Sequence, residues 1–192
     1  MREAALTTTR RTAILGALAA AVAVMAARAE PTRNGDALLS DARFDAALLA
    51  GINAERAARG LPALAPDPRL TAAARHQAAL MANARVMEHE IAGTPNFPAR
   101  LRAARARVRT AGENILRDNL SRYGMGCGSV SADVALRLGP EVARVSVPRW
   151  IGSPKHFDNI MNPRFRRAGA GFAVVAAGSG CGQIYVAQVF GG

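Results

Sequence analysis

The sequence predicts an α+β fold in which helices come first and an antiparallel sheet follows, with the helices packed on it in layers. Three observations lead there. Apolar residues recur at helical spacing between 41 and 85. Two β-rich runs close to the last residue are separated by a glycine-rich loop. The chain, at 192 residues, suits one domain with a sizeable core once a leader is set aside.

That leader is residues 1–29. Thr9-Arg10-Arg11-Thr12 precedes an apolar, alanine-rich run from Ala13 to Ala27, and Ala27-Arg28-Ala29 supplies an A-x-A cleavage site. The rival reading, a membrane anchor, is disfavoured because no run reaches the roughly 18–20 strongly apolar residues that a span needs. The paired arginines suggest twin-arginine export, although Ala13 stands where a bulky residue is usual; the ordinary secretory route is the alternative. The expectation is an exported chain, periplasmic or extracellular, with no transmembrane segment after signal removal. Removing 29 of 192 residues leaves 163, and the leader's four arginines and one glutamate take the net charge from +11 to +8. A basic balance favours anionic surfaces such as phospholipid head groups or acidic glycans. Arginine, however, makes up 24 of the 25 basic residues, which reads as genome composition as much as function. No specific nucleic-acid partner is expected.

Residues 30–40 read as a loose leader. From Asp41 to Arg59, Phe44, Leu48 and Ile52 mark an amphipathic helix with Leu49 alongside, closed by Gly60 with Pro62 beyond. Asp67-Pro68 is an N-cap followed by proline at the first helical position. The second helix it opens carries the stripe Leu70, Ala74, Gln77, Met81 and ends near Arg85, with His76 a partly exposed flank residue. In "VMEHEIAG", His89 begins an H-E-x-x-H pattern that fails at Gly93. Phe97 to Arg109 is basic and expected to be helical from Pro98, its arginines spread round a solvated surface. "TAGENIL", 110–116, reads as the start of a short strand, and 119–140 as an irregular insert or lid. Pro148 is expected to break or kink a helix holding Val142, Val145, Val147 and Trp150. Ser153-Pro154 starts another. Gly169 to Ala177 and Gln183 to Phe190 then form a C-terminal β-hairpin. Gly169-Ala170-Gly171 enters a strand, which excludes a phosphate-binding loop, and no Walker, Rossmann or G-x-S-x-G motif is present.

Cys127 and Cys181 lie in Gly126-Cys127-Gly128 and Gly180-Cys181-Gly182. In an exported chain they are expected to pair as a disulfide, the rival being two buried thiols. Among groups that carry chemistry, His89, Glu113 and His156 stand out. Two imidazoles and a carboxylate are a ligand set for catalytic zinc, and His156, at the start of its helix, is kept neutral by the helix dipole. Asn159, one turn on, shares its face. The bland alternative is that each group satisfies nearby backbone.

"INAERAARGLPAL" (52–64), "AGENI" (111–115), "WIGSPKHFDNIMNPRF" (150–165), "AGAGFAVV" (168–175) and "YVAQVFG" (185–191) occur in this order. Together they resemble the CAP superfamily of cysteine-rich secretory proteins, antigen 5 and pathogenesis-related proteins, also called SCP-like domains. The resemblance covers roughly residues 44–191. It implies a three-layer α/β/α sandwich spanning residues 41–192, with a central cleft. It also implies that His89, Glu113 and His156 are the cleft's metal-binding set, able to take a divalent ion such as zinc, with Asn114, Asn159 and Gln188 around them. Several positions depart from the pattern. Arg100 stands where many relatives carry a second glutamate, and Glu90 follows His89 in place of a small hydroxyl residue. The two cysteines do not map onto the family's pairs.

Three functions follow as expectations. One is a non-catalytic binding module for a lipid, peptide, glycan or protein. Another is a zinc-dependent hydrolase or peptidase using His89 and His156, with Glu113 as ligand or general base. The third is a basic surface that binds anionic envelope components.

Overall fold

Which face of the sheet a helix covers follows from its apolar stripe. A computed structural model describes residues 33–34, 37–39, 42–124, 132–175 and 182–192. The expected leader 1–29, both cysteines and the 178–180 loop lie outside the described residues. In chain order the elements are β1 (Arg33–Asn34), β2 (Ala37–Leu39), α1 (Ala42–Ala57), β3 (Ala65–Pro66), α2 (Pro68–Ala84), α3 (Phe97–Ala103) and β4 (Ala111–Asn119). A turn of 3-10 helix at Leu120–Tyr123 precedes α4 (Ala132–Ile151), α5 (Pro154–Met161), β5 (Arg167–Val175) and β6 (Gln183–Gly191). The strands run β1-β2-β5-β6-β4 across the sheet, with β3 alongside β5.

The structure has the expected α+β class, and the helices form a layer on each face. Phe44, Leu48 and Ile52 of α1 join Leu138, Val142, Val147 and Trp150 of α4 and Ile160 of α5 in one core, against Phe172, Val186 and Phe190 of the sheet. Leu70, Ala74 and Met81 of α2 form the other, against Ile115, Tyr185 and Val189. The period-2 alternation of β6 therefore divides its side chains between two dry cores. On the α2 side the sheet comes very close. A Cβ at Gly169 would overlap the backbone of Thr71, and one at Gly171 would lie 2.5 Å from Cγ of Arg75. These two glycines let α2 press directly on β5.

The α2 boundaries match the sequence reading: Asp67 caps the helix by accepting from the Arg69 amide at 2.9 Å, and Arg85 ends it in the left-handed region. The antiparallel β5–β6 pairing is also as expected. Four elements differ. The 30–40 segment is not loose throughout: β2 pairs with β5 through Leu38–Val174 and Leu39–Ala173, a backbone pairing that satisfies part of the β5 edge. The basic helix stops at Ala103, not Arg109, since Arg105 takes a positive φ of 55° and turns the chain toward β4. The strand begun by "TAGENIL" continues to Asn119. The stretch expected to be irregular is helical from Ala132, and α4 runs through Pro140 and Pro148. Its fully buried Trp150 and Val142 hold it in place, so tertiary packing outweighs the proline penalty.

Candidate functional site

β4 ends the sheet on one side, and consecutive residues of a strand face opposite layers. Glu113 pairs with Val189 and faces α2 and α3; Asn114 pairs with Gln188 and faces α4 and α5. The site is built across this strand from both layers.

On the first side, Glu113 is almost wholly buried and accepts three hydrogen bonds. Arg100 of α3 donates from Nη2 to Oε1 and Oε2, each at 3.0 Å, and His89 Nδ1 lies 2.9 Å from Oε1. The Arg100 side chain is 0% exposed and that of Glu113 3%, whereas the His89 side chain is 51% exposed. Arg100 also donates from Nη1 to the Pro95 carbonyl at 3.0 Å and sits 5.5 Å over the Phe97 ring. The loop carrying His89 is tethered by the buried Gln77, whose Nε2 donates to the Glu88 carbonyl at 2.6 Å. His76, on the same helix, is held below the usual imidazole range by burial first and by the charge of Arg100 second.

On the second side, His156 Nδ1 lies 2.9 Å from Ser153 Oγ. Burial, and then the charge of nearby His89, holds His156 below the usual imidazole range, so the neutral ring is favoured. The two imidazoles come from opposite layers of the fold. Asn114 donates from Nδ2 to the His156 carbonyl at 3.1 Å. Asn159 donates from Nδ2 to Asn114 Oδ1 at 2.8 Å and to the Glu113 carbonyl at 3.2 Å. Trp150 Nε1 donates to the Ile115 carbonyl at 3.2 Å. Gly112, one residue before Glu113, lets α5 come this close: a Cβ there would lie 2.8 Å from Asn159 Oδ1 and 2.9 Å from Cζ of Phe165. Gln188 is buried on the Asn114 side, and its Oε1 meets no donor among the described residues.

His89 and Glu113 are therefore in direct contact, and His156 stands near them with its Nδ1 on Ser153. The residues do not fit a divalent ion. Glu113 is already neutralised by a buried guanidinium, and among the described residues no group of three His, Cys, Asp or Glu could hold a metal. The sequence marks Gln77 only as part of the α2 stripe and spreads the arginines of 97–109 over a solvated surface, yet Arg100 is buried against Glu113. An arginine that follows two prolines and a phenylalanine, in a chain full of arginine, carries no local mark of burial.

The sequence matches the cysteine-rich secretory protein (CAP) family over residues 49–190. The chain belongs to the CAP family. No curated protein matches it. Among solved structures, its CAP fold is similar to an extracellular protein containing a SCP domain from Bacillus anthracis, with a TM-score of 0.52 and 20% identity over 77% of this chain. The chain spans 40% of the length of that protein. It is also similar to an outer surface protein from Borrelia burgdorferi, with a TM-score of 0.52 and 18% identity, covering 75% of this chain and 88% of that one. At these identities the likeness concerns the fold.

Proposed function

We propose that the chain is an exported CAP-domain protein whose cleft, between His89 and His156, binds a ligand without turning it over. One observation carries this reading: Glu113, the carboxylate expected as general base, is held by Arg100 and His89 through both oxygens, so it is not free to activate water. The Ser153–His156 pair does not replace it. Among the described residues no carboxylate bonds the His156 ring, and a serine–histidine pair without such an orienting group loses about four orders of magnitude in rate. Export is supported by the leader sequence and by the extracellular and outer-surface relatives of the same fold.

The test is twofold. Peptide and ester libraries incubated with the purified mature protein are expected to stay intact; turnover abolished by Glu113→Gln or Ser153→Ala would overturn the reading. Extracts of protein purified from its native host are expected to yield one enriched compound that the His89→Ala/His156→Ala variant no longer retains. Mass spectrometry of the extracts reads its class, whether lipid, peptide or glycan.

A second reading, docking on anionic surfaces, is supported by a 490 Å³ pocket lined by Arg107, Val108, Arg109, Arg167 and Gly192. Arg167 is partly neutralised by Asp67 at 2.5 Å. Retention on anionic phospholipid vesicles that falls steeply with salt, and is weakened in Arg107→Ala/Arg109→Ala, would support it; retention equal to that on neutral vesicles would sink it.

A further inference from the structure

We propose that Arg100 is a resident cation of the cleft, which holds Glu113 where a divalent metal would otherwise be needed and closes the site to one. A carboxylate as buried as Glu113 requires a charged or hydrogen-bonding partner. Arg100 supplies it in full, with both carboxylate oxygens bound at 3.0 Å. His89 adds a third hydrogen bond, so three of roughly four lone-pair directions on the carboxylate are used.

The guanidinium is held in place. Its side chain is 0% exposed, Nη1 is fastened to the Pro95 carbonyl, and the Phe97 ring lies against it. An exposed cation could swing away to admit a metal; this one is packed into the layer between α3 and β4. A dication seated on Glu113 would face that fixed charge at short range in a low-dielectric setting, where repulsion is strong. The imidazoles alone do not make up a site. With Nδ1 of His89 on Glu113 and Nδ1 of His156 on Ser153, each ring offers its other nitrogen, and with Glu113 taken by Arg100 these two ligands fall short of the three that a zinc site takes from the protein.

The experiment is a zinc titration against a chromophoric chelator. The mature wild-type protein is expected to bind zinc no more tightly than its His89→Ala/His156→Ala variant, and its melting temperature is expected to be the same in EDTA and in zinc. Arg100→Glu, with its fold checked by circular dichroism, is expected to gain at least tenfold in zinc affinity and to lose the gain when His89→Ala is added. Arg100→Gln, which removes the charge and keeps much of the shape, is expected to gain in the same direction and serves if the glutamate variant does not fold. A stoichiometric zinc complex of the wild type that His89→Ala abolishes overturns the proposal, as does a folded Arg100→Glu protein with no gain. This outcome is separate from the binding-module reading: zinc without turnover removes only this inference, and turnover without zinc removes only that reading.

Discussion

Asn159 gives one amide nitrogen to both Asn114 Oδ1 and the Glu113 carbonyl, at 2.8 and 3.2 Å, while Asn114 returns its own amide to the carbonyl of His156. The two asparagines thereby bolt the helix that carries one imidazole to the strand that carries the carboxylate. Asn114 is fully buried, so removing its side chain strands partners on both elements. Asn114→Ala is expected to cost about 2–4 kcal/mol, at ~1–3 kcal/mol for each buried group left unpaired. Urea denaturation measures it, and a cost below about 1 kcal/mol would contradict the bolt.

The depressed affinity of His156 for protons has a signed consequence. A group whose folded pKa lies below its unfolded value contributes stability that is fully present above the unfolded value, about 6.5 for histidine, and lost as pH falls through the folded one. Unfolding free energy is therefore expected to fall as pH drops from about 7 through that window, owing to burial first and His89 second. His156→Gln should flatten the fall. His76, shifted the same way, leaves a residual slope of the same sign. Urea midpoints across the pH range, compared between the two proteins, decide it.

The Arg100–Glu113 pair makes a prediction in two parts. Breaking a buried ion pair from one side costs about 3–5 kcal/mol because a charge is left behind, whereas replacing both partners by apolar groups is often neutral. Arg100→Met is therefore expected to be strongly destabilised, and Arg100→Met/Glu113→Met to recover most of the loss. A double variant as unstable as the sum of the singles would show that the pair does not act as a unit.

Glycines separate packing from backbone strain. Gly169 sits under α2, where a Cβ would overlap the Thr71 backbone, and Gly169→Ala is expected to cost about 3 kcal/mol or more. Gly60 has a positive φ of 70° with nothing within 4 Å of its added Cβ, so Gly60→Ala should cost only about 1–2 kcal/mol, from the left-handed backbone alone. Calorimetry of the two variants checks the ranking.

Much of this was legible in the sequence. The Phe44-Leu48-Ile52 stripe, the Asp67-Pro68 start and the alternation of Ile184, Val186, Gln188 and Phe190 each follow from local periodicity and capping, and each forms as read. Glu113, His89 and His156 could be singled out because two imidazoles and a carboxylate are a zinc ligand set and because they fall within the span that resembles the CAP family. Arg100 could not, since its role depends on a contact with a strand 13 residues away, and nothing in its neighbours marks it as buried. Pro148 misled for a related reason: a local breaker says nothing of the tryptophan two residues on that anchors the helix against the sheet.

The last strand of a sheet leaves alternate carbonyls pointing outward, ready to pair with a strand from another molecule. In β4 the carbonyls of Glu113 and Ile115 point that way, and each is already taken, by Asn159 and by Trp150. Asn159 and Trp150 are thus also stoppers along an adhesive margin. Loss of either would free a stretch of backbone beside the mouth, and self-association through that margin would compete with whatever ligand the cleft is built to receive.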